Sequence, residues 1–309
     1  MLSSESDTPP TWLQAMRDMA PDAEAAPGVT IADMLALHDH LDAPAGSVHH
    51  PAERYAEVDG VPLHLSLYRR EDTSERRPGV VFIHGGGWRG GCATYHARHC
   101  AALAEQGYVT AAIDYRLSPA VRWPDPLLDC KRAVRWLRAN HGQFGLDPER
   151  IVIAGGSAGG HLAAMVALTP GRWEPDDAPP VSSEVCGAVL WYPCVDMAGL
   201  LRHEEAPPMV EAFLGSLDEA LMREASPITH VHGGAPPILT MTGSIDPLTT
   251  VGDIRRFHDA LDAQGVPNRL RVFEGADHAF DHFPGGWEPC FEQMSVFLGE
   301  LTGAPAVAG

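Results

Sequence analysis

A serine stands among glycines in the stretch RIVIAGGSAGGHLAAMVAL, residues 150–168. The pattern Gly155-x-Ser157-x-Gly159 lies between three β-branched residues and a run of helix formers, which predicts a sharp turn from a strand into a helix. Glycines two residues before and after the serine let strand and helix approach closely. Such a turn lifts the hydroxyl clear of the sheet and aims the first helical N–H groups at an oxygen that becomes negative. The stretch therefore predicts a nucleophile, Ser157.

A second glycine-rich stretch, HGGGW at residues 84–88, directly follows the apolar run VVFI. Acyl transfer develops a negatively charged oxygen, and glycine N–H groups at a strand end can converge on it without obstruction by side chains. We expect the N–H groups of Gly86, Gly87 and Ala158 to form this oxyanion hole. Neither glycine run continues into the Lys and the Ser or Thr of the phosphate-binding pattern G-x-x-x-x-G-K-[ST], which argues against such a phosphate loop. His84 is expected to hold the loop by hydrogen bonds.

A serine hydroxyl is a weak nucleophile at neutral pH, so a base and an orienting carboxylate must come from elsewhere in the chain. Composition cannot select the base, because 16 histidines are present. Position can: Asp246 follows the strand-like run ILTMTG, and His278 follows the next one, RLRVFEG. Their chain order of serine, acid and histidine is one that such triads use. We expect Asp246 to orient His278 and His278 to take the proton of Ser157.

Other side chains compete for these roles. Asp253 falls inside the next predicted helix and Asp277 is adjacent to His278, so Asp246 is preferred. His282 lies four residues after His278, a spacing that also suits zinc. No third ligand and no H-E-x-x-H glutamate accompanies the pair, so we expect no metal site.

The elements that position these residues follow from the hydrophobic pattern. From residue 78 onwards, short apolar runs alternate with loops rich in glycine or proline and with amphipathic helices. This order predicts a mostly parallel sheet covered on both faces, with its site at the carboxyl ends of the strands. Before it, ERYAEVDGVPLHLSLYRRE predicts a hairpin that turns at Asp59-Gly60. Aromatic residues that flank the strand ends are candidates for a substrate pocket, with core packing as the alternative: Trp88, Trp191, Tyr192, Phe280 and Phe283.

The chain is predicted to have three parts. Residues 1–54 are expected to form a helical N-terminal arm or cap, because one helical pattern spans Trp12 to Met19 and another spans Ile31 to Leu41 behind a cap at Thr30. Residues 55–303 are expected to form the catalytic domain. Within it, residues 170–225 interrupt the alternating rhythm and are expected to contribute to a lid. Residues 304–309 are expected to form a tail.

Composition limits the classes of partner and compartment. The chain has 309 residues and a formal net charge of −19, which disfavours nucleic acids and anionic membranes as partners. No apolar stretch approaches the roughly 20 residues that span a bilayer. The N-terminal residues lack the basic and apolar regions of a signal peptide, so we expect a cytoplasmic protein, with a secreted one after leader removal as the alternative. The six cysteines form no C-x-x-C pair and are expected to be buried thiols.

Six motifs, taken in order, resemble those of α/β-hydrolase esterases: HGGGW, DYRLSP, GGSAGGHLA, REASPITHV, GSIDPL and GADHAF. The resemblance is to the hormone-sensitive-lipase-like group and particularly to its bacterial feruloyl and acetyl esterase-like (BD-FAE-like) relatives. It implies an α/β-hydrolase fold with an eight-stranded, mostly parallel sheet flanked by helices, a Ser157-Asp246-His278 triad, an oxyanion hole from the H-G-G-G loop, and no cofactor. Gly156 and His161 stand where hormone-sensitive-lipase-like enzymes usually have Asp and Asn, whereas the helical arm resembles the cap of that group.

The sequence therefore predicts a serine carboxylesterase that hydrolyses short-chain acyl or aromatic-acid esters through an acyl-enzyme. Its expected partner is a small-molecule ester, and relatives leave a homodimer open. Two alternatives stay open. An arylformamidase-like amide hydrolase would share the glycine loop and the triad, and a binding protein on a catalytically silent hydrolase scaffold would share the fold.

Overall fold

The structure, a computed structural model, describes residues 24–26, 29–30, 43–204, 206–282 and 285–303. Its strands, numbered in chain order, are β1 (Glu24–Ala26), β2 (Val29–Thr30), β3 (Ser47–Val58), β4 (Val61–Arg70), β5 (Arg77–Ile83), β6 (Val109–Ile113), β7 (Leu146–Gly156), β8 (Gly187–Trp191), β9 (Ile238–Gly243) and β10 (Asn268–Phe273).

The helices between and after these strands are α1 (Ala97–Glu105), α2 (Asp125–Ala139), α3 (His141–Phe144), α4 (Ala158–Leu168), α5 (Met197–Leu200), α6 (Ala206–Leu214), α7 (Glu219–Glu224), α8 (Val251–Ala263) and α9 (Trp287–Thr302). Single turns of 3₁₀ helix span Ala93–His96, Pro227–His230 and Phe280–His282. No helix in these described parts of the chain is long and apolar enough to cross a membrane.

Eight strands form the main sheet in the order β10-β9-β8-β7-β5-β6-β4-β3. Neighbours from β10 through β6 are parallel, and β4 pairs antiparallel with both β6 and β3. Leu103 of α1 and Met294 of α9 lie in one hydrophobic cluster, whereas Leu127 of α2, Leu162 of α4 and Phe257 of α8 lie in another. Because helices cover both faces, the central strands are continuously apolar rather than alternating. The predicted eight-stranded, mostly parallel α/β-hydrolase fold is confirmed.

The hairpin at Asp59-Gly60 forms where the sequence predicts it, but its first strand starts earlier than expected. β3 begins at Ser47, so the boundary predicted at residue 54 is wrong, because it falls inside this strand. The hydrophobic pattern did not reveal the start of this strand, because the strand lies at the sheet edge and is largely polar. His49, for example, stacks on Tyr68 of β4 and hydrogen-bonds Ser66 Oγ at 2.8 Å.

The predicted helices at residues 12–19 and 31–41 and the tail at 304–309 lie outside the described residues. Within the predicted arm the structure describes the antiparallel pair of β1 and β2, in which Thr30 is a strand residue rather than a helix cap.

Candidate active site

Ser157 occupies the turn between β7 and α4 in a strained backbone conformation. Its φ is 54° and its ψ is −120°, a region that costs a non-glycine residue roughly 1–3 kcal/mol. The Ser157 N–H donates to the carbonyl of Trp191 at 2.9 Å, which fixes the turn against β8. A Cβ added to Gly159 would lie 2.1 Å from the carbonyl oxygen of Ile83, so only glycine permits α4 to pass this close to β5.

In the structure, hydrogen bonds join the three predicted triad side chains in a row. His278 Nε2 lies 2.9 Å from Ser157 Oγ, and His278 Nδ1 lies 2.7 Å from Asp246 Oδ2. A carboxylate can only accept, so Nδ1 carries a proton and Nε2 of the neutral ring is free to accept from the serine. The competing carboxylates are engaged elsewhere: Asp277 accepts from the backbone N–H of His278, and Asp253 pairs with arginines.

Asp246 is buried and held by donors on both oxygens. Its Oδ1 accepts from the backbone N–H groups of Leu248 and Thr249, each at 2.9 Å, and its Oδ2 accepts from the Thr249 hydroxyl at 2.7 Å. Burial alone would raise the pKa of this carboxyl, but hydrogen bonds from His278 and Thr249 outweigh it and hold the pKa below its usual value. The carboxylate therefore stays ionised and fixes the orientation of the His278 ring.

The HGGGW loop lies against the serine turn. A Cβ on Gly85 would approach the carbonyl oxygen of Gly156 to 3.0 Å, and Gly86 and Gly87 line the same cavity as Ser157. Gly86 and Gly87 have φ of 110° and 60°, conformations that favour glycine. Ala158 is the first residue of α4, so its N–H has no partner within the helix. An oxyanion hole requires these three N–H groups to converge on the carbonyl oxygen of a bound ester, and this role stays a prediction.

His84 contacts the loop rather than the cavity. The residue is 1% exposed, its Nδ1–H donates to the carbonyl of Gly85 at 2.8 Å, and its ring stacks on Tyr115 at 4.3 Å. The Tyr115 hydroxyl in turn donates to the carbonyl of His84 at 3.1 Å. Burial lowers the pKa of His84, which keeps the ring neutral. These contacts agree with the structural role expected for it.

His161 joins three segments around the site, a role that the sequence did not reveal. The Trp88 indole N–H donates to His161 Nδ1 at 3.2 Å, so the ring carries its proton on Nε2 and donates it to the carbonyl of Ala225 at 2.7 Å. Burial lowers the pKa of His161 to about 4 and keeps the ring neutral. The side chain thus connects the glycine loop, α4 and the end of α7.

A cavity of about 250 Å³ opens onto the serine. Of the aromatic residues predicted to line it, Tyr192 does so, and Phe283 lies outside the described residues. The cavity walls also include residues that the sequence did not predict as pocket residues: Tyr95, His96, Met209, Leu248, Ala279 and His282. Met209 comes from α6, so part of the segment predicted as a lid borders the cavity.

The pocket prediction is wrong for Trp88, Trp191 and Phe280. The two tryptophans have no exposed surface and Phe280 is 6% exposed. Trp88 stacks on Phe213 at 4.3 Å, and Phe280 packs against Phe273 with ring centroids 4.9 Å apart. A position beside a strand end did not reveal which way each ring points, and these three point into the core.

The described residues contain no group of three or more His, Cys, Asp or Glu side chains that could hold a metal ion. The Cys194 thiol, which interacts with the Ser157 side chain, has a pKa raised by burial.

With this geometry in place, known proteins show where the chain belongs. The family model described as BD-FAE matches residues 65–261, well over half of the chain. The chain belongs to the BD-FAE family. This membership confirms the α/β-hydrolase esterase group that the motifs resemble.

Relatives of this BD-FAE protein include two from Mycobacterium tuberculosis. The chain is 35% identical over 232 residues to the probable carboxylic ester hydrolase LipM, covering 71% of this chain and 53% of LipM. It is 34% identical over 233 residues to the esterase LipQ, covering 70% of this chain and 54% of LipQ. The chain thus spans about half the length of these curated relatives.

Among solved structures, the chain is similar to butyrate-bound Est2, a thermophilic esterase from Thermogutta terrifontis. The TM-score is 0.74 and the sequences are 32% identical, over 86% of this chain and 97% of the Est2 chain. The match extends beyond the family region and supports the same α/β-hydrolase architecture.

Proposed function

We propose that this BD-FAE family member is a serine carboxylesterase with the triad Ser157, His278 and Asp246. The observation that carries the proposal is the continuous chain of hydrogen bonds from Asp246 Oδ2 through His278 to Ser157 Oγ, beside a glycine-rich loop. Each neighbouring contact has the direction that proton transfer requires, with the serine hydroxyl donating to Nε2.

The chemistry follows from these contacts. Ser157 Oγ attacks the ester carbonyl while its proton passes to His278 Nε2, and the carbonyl oxygen takes up negative charge against the N–H groups of Gly86, Gly87 and Ala158. The C–O bond to the alcohol then breaks, and His278 returns the proton to the leaving oxygen. In the second half, His278 takes a proton from water as the water oxygen attacks the acyl carbon, the bond from that carbon to Ser157 Oγ breaks, and His278 returns the proton to Oγ as the acid leaves.

The size and wall of the cavity support small acyl groups. Its volume is about 250 Å³, and the apolar side chains of Met209 and Leu248 border it. The similar Est2 enzyme has been captured with butyrate and with propionate. A short-chain acyl ester or a compact aromatic-acid ester is therefore the proposed substrate. A homodimer and a cytoplasmic location stay predictions.

The two alternatives differ from this proposal in their chemistry. An arylformamidase-like hydrolase would use the same three side chains on an amide. Comparing turnover of p-nitrophenyl acetate and N-formylkynurenine therefore distinguishes an esterase from such an amide hydrolase. A catalytically silent scaffold is disfavoured because all three triad side chains are present and in contact.

The test compares wild type with Ser157→Ala on p-nitrophenyl esters of increasing acyl length, feruloyl esters and acetylated sugars. We expect Ser157→Ala to lose at least about 10³-fold in kcat, because triad residues act as a unit. Ser183→Ala is the control: this serine is buried, and its hydroxyl donates to Glu174 away from the cavity. A fluorophosphonate probe should label wild type and Ser183→Ala but not Ser157→Ala. Equal turnover by Ser157→Ala and wild type would contradict the proposal.

A further inference from the structure

Tyr192 stands at the point where the serine turn meets the centre of the sheet. It directly follows β8 and has a φ of 34°, unusual for a residue with a side chain. Its backbone N–H donates to the carbonyl of Met241 in β9 at 2.7 Å, and the carbonyl of the preceding Trp191 accepts from the Ser157 N–H. The backbone at this position therefore joins the serine turn to β9.

The side chain of Tyr192 reaches the other half of the site. Its ring lies against the His278 imidazole, with centroids 4.6 Å apart and planes inclined by 58°. Its hydroxyl donates to Asp281 Oδ1, three residues beyond His278 on the same loop. Both partners are 1% exposed. One side chain thus contacts the histidine and ties down the loop that carries it.

The contact between Tyr192 and Asp281 is a strong one of fixed direction. Burial, together with the neighbouring Asp281, raises the pKa of Tyr192 well above 10, so the hydroxyl keeps the proton that it donates. A hydrogen bond to a buried carboxylate is shorter and stronger than one between neutral groups. The bond therefore holds the loop after His278 to the strand end beside Ser157.

We propose that Tyr192 and Asp281 form a positioning pair that sets the separation of His278 from Ser157. The inference rests on the proposed function of this site, to which it adds two residues that do not themselves exchange protons with the substrate. Ser157 comes from β7 and His278 from the loop after β10, with β8 and β9 between these strands in the sheet. The pair spans that gap, because Tyr192 follows β8 and Asp281 belongs to the histidine loop.

Proton transfer depends steeply on that separation. His278 Nε2 must stay within hydrogen-bond reach of Ser157 Oγ, and a displacement of about 1 Å can cost on the order of 10²-fold in rate. Loss of the pair should therefore lower kcat and leave KM nearly unchanged. A purely structural bond would instead lower the stability of the fold without changing turnover per folded active site.

The test uses three variants of the full chain and one matched control. Tyr192→Phe keeps the ring but loses the hydroxyl, Asp281→Ala removes the acceptor, and Asp281→Asn keeps a neutral acceptor for the same hydroxyl. The control is Tyr108→Phe, because Tyr108 is equally buried and its hydroxyl bonds Thr302 at 3.3 Å, outside the cavity. Each protein is assayed with p-nitrophenyl acetate, with active sites counted from the burst of p-nitrophenol and folding checked by thermal unfolding.

We expect Tyr192→Phe and Asp281→Ala to lower kcat per active site by about tenfold or more, with KM within about threefold of wild type. Asp281→Asn should recover most of the kcat lost in Asp281→Ala, and Tyr108→Phe should match wild type. Tyr192→Phe turning over like wild type per active site would overturn the proposal, as would Asp281→Asn falling as far as Asp281→Ala. The Asp281 comparison decides the matter even if Tyr192→Phe does not fold.

The proposed function fails by a different result. If wild type hydrolyses no ester in the panel, the serine esterase assignment is wrong. The rate at which a fluorophosphonate labels Ser157 in the same variants then reports on the pair alone.

Discussion

Replacing Asp246 by Asn tests whether the carboxylate acts by fixing the proton of His278. The oxygen of the new amide would keep the two backbone donors now bound to Oδ1, from Leu248 and Thr249, because both are fixed N–H groups. The amide nitrogen would then take the place of Oδ2 and donate to His278 Nδ1. An accepting Nδ1 puts the ring proton on Nε2, which faces Ser157 and can no longer take its proton.

The expected loss of kcat in Asp246→Asn is about 10⁴-fold, the size typical of a wrong histidine tautomer in a triad. That factor corresponds to about 5 kcal/mol of transition-state stabilisation. KM should change little, because Asp246 contacts Thr249 and His278 and is not among the residues that line the cavity. The assay is steady-state hydrolysis of p-nitrophenyl acetate at pH 7.5, with thermal unfolding to confirm the fold.

Asp253→Asn is the matched control for this experiment. Asp253 is also buried, lies seven residues downstream and pairs with Arg202 and Arg256 rather than with the histidine. It should lose some stability and retain wild-type kcat. A folded Asp246→Asn enzyme with kcat within about tenfold of wild type would refute the tautomer argument, as would a loss of equal size in Asp253→Asn.

Two further predictions concern the cavity wall and the pH dependence of stability. The side chain of Met209 lies against Gly87 at the cavity. Met209→Ala should therefore raise kcat/KM for p-nitrophenyl hexanoate relative to the acetate by about tenfold, which corresponds to the burial of about two more methylene groups. An unchanged ratio would show that Met209 does not limit acyl length. Burial lowers the pKa of His99 to about 4, and neither of its ring nitrogens has a partner among the described residues. Because the folded state resists protonation of His99, its contribution to stability is complete above pH 6.5 and is lost as the pH falls towards 4, by about 2 kcal/mol at pH 5. Urea unfolding of wild type and His99→Gln at pH 7.5 and 5.0 checks this, and equal losses in both proteins would contradict it.

The positions of residues in turns after strands could be predicted from the sequence. The direction in which a side chain at a strand end points could not. Ser157, Asp246 and His278 each follow a short apolar run, and the carboxyl ends of parallel strands meet at one edge of the sheet. The order of motifs therefore sufficed to place all three together. Trp191 also ends such a run, but β8 is buried on both faces, so hydrophobicity does not tell which face a ring occupies.

The cavity walls were harder to predict because they come from segments without a periodic signal. Tyr95 and His96 lie in a single 3₁₀ turn after the glycine loop, and His282 lies in another after the histidine. Met209 belongs to α6, within the irregular region where the sequence predicted only a contribution to a lid. The start of β3 was missed for a related reason, since an edge strand with polar residues on both faces lacks the alternation that marks a strand.

The bond pattern of His161 explains which chemistry its position requires. The ring accepts from Trp88 on one side and donates to Ala225 on the other, without carrying a charge. An asparagine amide also offers one acceptor and one donor, and asparagine is the residue that hormone-sensitive-lipase-like enzymes usually carry here. The position therefore requires a neutral side chain that accepts a hydrogen bond on one side and donates one on the other, and a carboxamide of suitable reach would meet the same requirement.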